Sequence, residues 1–342
     1  MKQHQHPSQL AGGRTRREFL IASGAAAAGL VGHGSEPSAY AGAREPSAAP
    51  ITGEQPAAAA EPIIDIHQHL GYSGRPDDVL LAHQRAMGAT LTILLPAGRP
   101  ANTASTHGGV SNGLQAQCLG NEACRGFASA HRKEFRFGAN EVPDVDGATK
   151  EIARYLERGG VVIAEQKFGV ECDSPEMQRI YQLAQAHQVP VLMHWQFEMY
   201  NYGFERFDTM LAKYPRVNFI GHAQTWWANI DRNHRDQSVL YPKGPVTRGG
   251  LTERYLSDHA NMYGDLSAGS GLGALTRDEE FTRGFLDRHQ DKLIYGSDCS
   301  DHDGAGPACQ GAQTIAALRR LAGSKTIERK LLHGNATKLF RL

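Results

Sequence analysis

The stretch Ile63-Ile64-Asp65-Ile66-His67-Gln68-His69-Leu70 predicts the first strand of the fold and the beginning of its functional site. Its apolar residues are typical of a buried strand, and Glu61-Pro62 marks the entry. Because side chains alternate across a strand, His67 and His69 point to the same face, where two imidazoles can bind one metal ion. An H-x-H pair also occurs by chance on surfaces and in cores. The interpretation therefore depends on ligands from later strands.

The composition narrows the class of protein. The chain has 342 residues with 36 basic and 36 acidic side chains, so its formal charge is zero, and 40% of its residues are hydrophobic. A neutral balance argues against nucleic acid as the main partner, since phosphate-binding proteins usually carry a basic excess. The length fits one large domain or two average ones, and the apolar content is sufficient for a substantial core.

The amino terminus has the features of an export signal. Thr15-Arg16-Arg17-Glu18-Phe19-Leu20 matches a twin-arginine motif, and the apolar run 20–31 is too short to span a bilayer. Ala39-Tyr40-Ala41 offers a small-x-small cleavage site. We therefore predict a signal peptide over 1–41, recognised by the twin-arginine export machinery, and a periplasmic or otherwise exported mature protein. An amphipathic helix or anchor is the alternative, and the Ala- and Pro-rich segment 42–62 is predicted to be a linker.

The five cysteines cannot all pair. Two pairs are close in sequence and are candidates for disulfides, Cys118 with Cys124 and Cys299 with Cys309, which leaves Cys172 over. The chain has no C-x-x-C spacing, which argues against a structural zinc site of the thiolate type. We expect one disulfide at most.

From Ile63 onward, short apolar runs alternate with longer helical patterns, which predicts parallel strands joined by helices. The predicted strands span 63–67, 90–95, 135–140, 161–166, 189–194, 217–221, 261–265 and 293–296. Predicted helices include 76–87, 148–158, 175–187 and 277–290, with N-caps expected at Asp173 or Ser174 and at Thr276. Eight such units over 63–342 fit a single-domain α/β (β/α)8 TIM barrel. An open doubly wound sheet is the alternative, although no G-x-G-x-x-G turn follows the first strand.

Several predicted strands end in a side chain that can bind metal. His194 and His222 end the fifth and sixth strands, and Asp298 follows the eighth. The carboxyl ends of parallel barrel strands all face the same rim, so these residues are expected to converge with His67 and His69 over the barrel mouth. Each of them alone has a structural explanation, but the whole set favours a metal site.

The ligand order resembles that of the amidohydrolase superfamily, in particular its second large family, which includes aminocarboxymuconate-semialdehyde decarboxylase. The motifs that carry the resemblance are D-I-H-Q-H at 65–69, L-M-H-W with His194, I-G-H-A with His222 and Y-G-S-D with Asp298. The resemblance implies a divalent metal, usually zinc, bound by His67, His69, His194 and Asp298. It leaves His222 to polarise the substrate or move a proton. In relatives with two metals, His222 is a ligand and a group on strand four bridges the ions.

Glu165 and Lys167 are the candidates on strand four, two residues apart and on the same face. Glu165 is a candidate bridging ligand. Lys167 could hold an anion or carry a carbamate, or the two side chains could simply pair with each other. A metal count would decide between one ion, which we favour, and two ions about 3.5 to 4 Å apart.

Other residues are candidates for contact with a small-molecule substrate. They include Arg99 and His107 in a long loop after the second strand, Trp195 beside His194, and the pair Trp226-Trp227. The tryptophans could equally cover the hydrophobic rim. Asp265, at the end of strand seven, could orient a ligand histidine or cap the following turn.

These observations predict an exported metal-dependent hydrolase of amide, lactone or ester bonds. A divalent ion lowers the pKa of bound water, Asp298 would accept the water proton, and His222 would stabilise the developing oxyanion. A metal-dependent decarboxylase or hydratase on the same site is the first alternative, and a non-catalytic periplasmic binding protein is the second. The chain could form a homo-oligomer.

Overall fold

The fold is built on parallel strands that alternate with helices. A computed structural model of the protein describes residues 61–98 and 118–342, which lie within one compact unit, Ala58–Leu342. The described residues form eight strands, each within a few residues of its predicted position: β1 Ile64–Gln68, β2 Leu91–Leu94, β3 Phe135–Phe137, β4 Ile163–Gln166, β5 Val191–His194, β6 Phe219–His222, β7 Met262–Asp265 and β8 Leu293–Ile294.

Helices connect the strands. Those of the described residues are α1 Asp77–Met87, α2 Asn121–Ala130, α3 Ala148–Leu156, α4 Pro175–His187, α5 Asp208–Lys213, α6 Gln224–Ala228, α7 Leu251–Asp258, α8 Ala268–Thr276, α9 Glu279–Arg288, α10 Gln310–Leu321, α11 Lys325–Arg329 and α12 Asn335–Phe340, with one turn of π-helix at Lys330–Gly334. Ser174 caps α4 as predicted, because its hydroxyl accepts from Met177 N at 3.2 Å. The cap predicted at Thr276 is wrong. Thr276 ends α8, and the carboxylate of Asp278 caps α9.

Hydrogen bonds link the strands into a ring. β1, β2 and β3 form one parallel ladder and β4 to β8 form another. Val161 N donates to Phe137 O at 3.0 Å and Ala139 N donates to Val162 O at 2.8 Å, which joins the two ladders on one side. On the other side Ile66 N donates to Tyr295 O at 3.3 Å. All eight carboxyl ends therefore face the same rim, as expected of a TIM barrel.

The apolar core has two parts. The larger part lies between the strands and the surrounding helices. The smaller part fills the barrel itself with side chains from alternate strand positions, among them Ile66, Ile93, Leu192 and Ile220. Ala336, Leu339 and Phe340 of α12 pack against this inner cluster, so the C-terminal helix covers the end of the barrel opposite the rim.

The structure describes the five cysteines but not the predicted export signal. All five cysteines are free thiols, so neither candidate pair forms a disulfide; the Sγ atoms of Cys299 and Cys309 are 3.8 Å apart. The predicted signal peptide and most of the linker lie outside the described residues. Within the described ranges no helix is both long and apolar enough to cross a membrane.

Candidate metal centre

Side chains from β1, β4 and the end of β8 meet at the rim of the barrel. His67 Nε2 and His69 Nε2 are 3.2 Å apart, and Glu165 Oε2 lies 3.5 and 3.4 Å from them. Asp298 Oδ1 lies 3.8 and 3.5 Å from the same two nitrogens. The donor atoms around a tetrahedral ion with bonds of about 2.0 to 2.2 Å lie about 3.3 to 3.6 Å apart. The four donor atoms therefore have the spacing of a metal site.

The hydrogen bond at Nδ1 fixes the tautomer of His67 and that of His69. His67 Nδ1 is 2.7 Å from Asp265 Oδ2 and His69 Nδ1 is 2.7 Å from Leu95 O. Both partners only accept, so each Nδ1 carries a proton and the two Nε2 atoms face each other. Two Nε2 lone pairs 3.2 Å apart repel each other unless a proton or a metal ion lies between them. The geometry fits a bound metal ion.

A second group lies on the other side of Glu165. His194 Nδ1 is 2.5 Å from Glu165 Oε1, and His222 Nε2 is 3.7 Å from the same oxygen and 3.6 Å from Asp298 Oδ2. Glu165, His194 and His222 form one group whose donor atoms all lie within 4.8 Å, and His67, His69 and Asp298 form another. Glu165 thus has one oxygen toward each pair of histidines, which is the position of a bridging carboxylate.

Ser267, a residue that the sequence analysis missed, fixes the ring of His222. The Ser267 hydroxyl donates to Asp265 Oδ2 at 2.8 Å and lies 3.0 Å from His222 Nδ1. Because its proton is used by Asp265, the hydroxyl accepts from Nδ1–H and leaves the Nε2 lone pair facing the centre. The D-x-S spacing at the end of β7 places both side chains on one face and could have indicated this role.

Asp265 has both roles that the sequence left open. Its Oδ2 orients His67, and its Oδ1 accepts from Ser267 N at 3.1 Å to cap the turn. The carboxylate is fully buried, yet the nearby imidazoles of His67 and His222 lower its pKa to about 2 against the opposing effect of burial. It is therefore ionised and stabilises positive charge on the rings it contacts.

Charge in this centre is strongly coupled. Burial opposes protonation of His67, but Asp298, Glu165 and Asp265 raise its pKa to about 10. Burial also opposes ionisation of Asp298, but His67, His222 and His69 hold its pKa well below the usual range. The carboxylates of Asp298 and Asp265 are therefore ionised, and positive charge beside them stabilises the site. Asp298 Oδ1 is buried without a hydrogen-bond partner, as expected for an oxygen that binds a cation.

Unusual backbone conformations occur at Asp298 and directly after His222, at the rim of the barrel. Asp298 has φ 42° and its N–H donates to His67 O at 2.8 Å. Ala223, directly after His222, has φ 79° and ψ −166°, a region that residues other than glycine rarely occupy. Strained residues of this kind cluster at functional sites, where the surrounding structure holds them in place.

A cavity of about 400 Å³ opens onto the centre and is lined by Tyr72, Lys167, His194, His222, Gln224, Tyr241 and Asp298, among others. Lys167 does not pair with Glu165 at ion-pair distance, and among the described residues its ammonium has only the ring of Tyr200, 5.7 Å away, as a close partner. Burial lowers the pKa of Lys167, but Glu165 and Asp298 raise it overall, so it is a cation facing the cavity. Tyr72, which the sequence analysis did not single out, lies beside Asp298.

Two predicted substrate contacts are wrong. Trp195 is fully buried and packs edge-on against Phe204 and Phe207, with ring centroids 5.1 and 4.8 Å away. Trp226 is fully buried as well, against Gly221 and Phe204. Neither residue lines the cavity. The predicted contacts Arg99 and His107 lie outside the described residues.

The fold and the centre define the class of protein, a parallel barrel enzyme with a metal-binding set at the carboxyl ends of its strands. The family model described as amidohydrolase matches residues 64–342, and the chain belongs to this family of enzymes. Family membership supports the predicted enzyme over the alternative of a non-catalytic binding protein. No curated protein sequence matches the chain.

Solved structures show the same fold at low sequence identity. A 2,6-dihydroxybenzoate decarboxylase from Rhizobium is 14% identical with a TM-score of 0.52, covering 82% of this chain and 99% of its own. A probable 2-pyrone-4,6-dicarboxylic acid hydrolase from Acinetobacter baumannii, with citric acid bound, is 13% identical with a TM-score of 0.52, covering 82% and 99%. An uncharacterised TIM-barrel protein from Bordetella bronchiseptica is 14% identical with a TM-score of 0.53, covering 82% and 98%.

Proposed function

We propose that this protein is an exported, metal-dependent hydrolase that cleaves an amide, lactone or ester bond of a small anionic molecule. The observation that carries the proposal is the convergence of His67, His69, Glu165 and Asp298 with donor atoms 3.2 to 3.8 Å apart. When bound there, a divalent ion acts as a Lewis acid and lowers the pKa of water from about 15.7 to about 7. Imidazole nitrogen and carboxylate oxygen are donors that zinc binds, and zinc is the ion we propose.

Three side chains at the site have separate roles in the proposed reaction. Asp298 is ionised and only 12% exposed, and its Oδ1 faces the proposed ion, so Oδ2 accepts the proton of the attacking water and returns it to the leaving group. Burial and the charge of His67 oppose protonation of His222, but Asp265 and Asp298 raise its pKa overall, so the ring can carry a second proton on Nε2. That Nε2–H, 3.6 Å from Asp298 Oδ2, stabilises the oxyanion that develops on the attacked carbonyl. Lys167 binds an anionic group of the substrate at the wall of the cavity.

The mutant pair His194→Ala and Asp298→Asn tests this division. His194 Nδ1 lies 2.5 Å from Glu165 Oε1, so His194→Ala removes the partner of a proposed ligand and is expected to lower bound metal per chain. Asp298→Asn is expected to retain most of the metal and lose turnover. Metal content is measured after dialysis, and activity is measured on a panel of anionic lactones, esters and amides with and without chelator. His187→Ala, at the end of α4, is the control for loss of an imidazole. Chelator-insensitive turnover, or wild-type activity in both mutants, would disprove the proposal.

Decarboxylation of a small carboxylic acid on the same site is the second candidate. The cationic wall formed by Lys167 suits a carboxylated substrate in either reaction, and one of the solved structures with this fold is a dihydroxybenzoate decarboxylase. Release of carbon dioxide from aromatic carboxylates, inhibited by chelator and without hydrolysis of the lactone panel, would select the decarboxylase. Hydrolysis without carbon dioxide release would exclude it.

The proposed export is tested independently of the chemistry. The full chain carries Arg16-Arg17 ahead of an apolar run and the Ala39-Tyr40-Ala41 cleavage pattern. We expect a periplasmic protein whose sequence begins at Gly42. The double substitution Arg16→Lys with Arg17→Lys should retain the precursor in the cytoplasm. Periplasmic recovery of that double variant at the wild-type level would contradict twin-arginine export.

A further inference from the structure

A second cluster of metal-binding side chains lies behind the catalytic centre, between α1 and the segment that follows β8. Its members are His83, Cys299, Asp301 and Cys309, and their donor atoms all lie within 4.8 Å of one another. His83, Cys299 and Cys309 are buried, and the Asp301 side chain is only 12% exposed. The proposed hydrolytic mechanism uses none of these four side chains.

The distances within this cluster match a tetrahedral site. The Sγ atoms of Cys299 and Cys309 are 3.8 Å apart, Cys309 Sγ is 3.5 Å from His83 Nε2, and His83 Nε2 is 3.8 Å from Asp301 Oδ2. Around a zinc ion with bonds of about 2.3 Å to sulfur and 2.0 to 2.2 Å to nitrogen and oxygen, the matching separations are about 3.8, 3.5 and 3.4 Å. By contrast, a disulfide requires the two sulfurs at about 2.05 Å.

Hydrogen bonds around His83 prepare its Nε2 atom as a ligand. His83 Nδ1 is 2.9 Å from Gln84 Oε1. The amide of Gln84 is oriented by its Nε2, which donates to Asp65 Oδ2 at 2.8 Å and to Thr92 Oγ1 at 2.7 Å. Because Gln84 Oε1 can only accept, Nδ1 of His83 carries the proton. The Nε2 lone pair therefore points toward the sulfur of Cys309.

The environment also suits the charge of such a site. Two thiolates and one carboxylate around a divalent ion leave a net charge of minus one. The guanidinium of Arg75, almost completely buried, donates to the carbonyl oxygens of Cys299 and Asp301 at 2.9 and 2.8 Å. A buried cation beside a net negative cluster compensates that charge.

We propose that His83, Cys299, Asp301 and Cys309 form a second, structural binding site for a divalent ion of the zinc type, distinct from the catalytic centre. The site joins α1 to the segment after β8. Since Cys299 directly follows Asp298, ligation of its sulfur anchors the backbone that carries the proposed catalytic carboxylate. This inference does not depend on which reaction the catalytic centre performs.

Cobalt substitution of the full chain tests the site, because thiolate ligands give intense near-ultraviolet charge-transfer absorption that imidazole and carboxylate ligands do not. Metal-free protein is prepared with reductant and titrated with Co²⁺. We expect the charge-transfer absorption to reach a plateau once both sites are filled, with the intensity of one thiolate-bound cobalt ion per chain. Cys309→Ser should lose it, and the matched control Cys118→Ser, near the catalytic centre, should retain it. Retention in Cys309→Ser or loss only in Cys118→Ser would overturn the assignment.

X-ray absorption at the zinc edge tests the same site in the wild-type protein, so it does not depend on whether a mutant folds. Zinc-loaded wild-type protein is expected to show sulfur scatterers at about 2.3 Å beside nitrogen and oxygen at about 2.0 Å. A spectrum with nitrogen and oxygen alone would overturn the proposal. So would a Cys299–Cys309 disulfide, detected by peptide mass mapping, in metal-loaded protein purified without reductant.

Discussion

At the scale of single residues, the candidate metal centre depends on groups that do not face the proposed ion. Asp265 fixes the tautomer of His67 directly and that of His222 through the Ser267 hydroxyl. Groups that orient a ligand histidine commonly contribute about 10- to 100-fold in metal affinity. The buried carboxylate of Asp265 therefore positions the rings of both His67 and His222.

The substitution Asp265→Asn tests this positioning role. An amide can donate as well as accept, so it no longer enforces Nδ1–H on His67, and we expect metal affinity to fall about 10- to 100-fold with the fold retained. Affinity is measured by competition with a chromophoric chelator. Asp287→Asn, an exposed substitution on α9, is the matched control. Equal metal affinity in the two variants would contradict the role of Asp265.

Lys167 makes a second prediction at this scale. A hydrogen bond to a charged group contributes about 1.5 to 3 kcal/mol, which corresponds to about a 10- to 100-fold change in an equilibrium constant. We expect Lys167→Met to raise KM for an anionic substrate by about that factor, while a neutral analogue of the same substrate is unaffected. Steady-state kinetics on the matched pair of substrates provides the measurement. An equal rise in KM for both substrates would mean that Lys167 does not bind the anionic group.

The residues of the site were predictable where strand alternation applied. His67 and His69 share a face because they are two apart, and the same rule places Lys167 on the side of Glu165 and into the cavity. It also explains the error at Trp195, which follows His194 directly and so points away from the mouth into the core. Tyr72 lies in a short 3₁₀ turn without strand periodicity, and its position beside Asp298 depends on chain folding that no local pattern encodes.

At the scale of elements, close packing between β6 and α6 positions His222. A Cβ added to Gly221 would lie 2.4 Å from ring atoms of Trp226, so only glycine allows the indole to cover the strand beside His222. Ala223 then turns the chain into α6 with φ 79°. The strand itself was predictable from its apolar run. The contact that requires Gly221 was not, because it depends on where a neighbouring helix places a tryptophan.

We therefore expect Gly221→Ala to destabilise the protein. Forcing a methyl group into this contact costs about 1 to 3 kcal/mol by overpacking, which should appear as a lower free energy of unfolding in urea. Gly126→Ala provides the control, because Gly126 lies in α2 with open space around the added Cβ, where alanine gains up to about 1 kcal/mol of helix propensity. The prediction fails if the two variants have the same stability.

At the scale of the whole molecule, the proposed reaction site and the packing of the C-terminal helix lie at opposite ends of the barrel. The proposed metal ligands lie at the carboxyl ends of the strands, and α12 covers the other end, where Arg341 donates to Gln188 just ahead of β5. In barrel enzymes the first face carries catalysis and the second carries stability. The sequence predicted the eight units, but not that the last helix would close the inner core, since a short apolar run at a chain end also fits a peripheral helix.

Phe340→Ala tests this separation. Phe340 is 6% exposed and packs on the inner cluster of the barrel, so its truncation is expected to cost about 3 to 5 kcal/mol of unfolding free energy. The folded variant should bind metal with wild-type stoichiometry and affinity, because every proposed ligand lies at the opposite end. Phe197→Ala removes the same side chain from a position that is 40% exposed, and should cost much less. Phe340 contacts none of the proposed ligands. Loss of metal from fully folded Phe340→Ala would therefore contradict the prediction, because it would show that packing at one end of the barrel affects metal binding at the other.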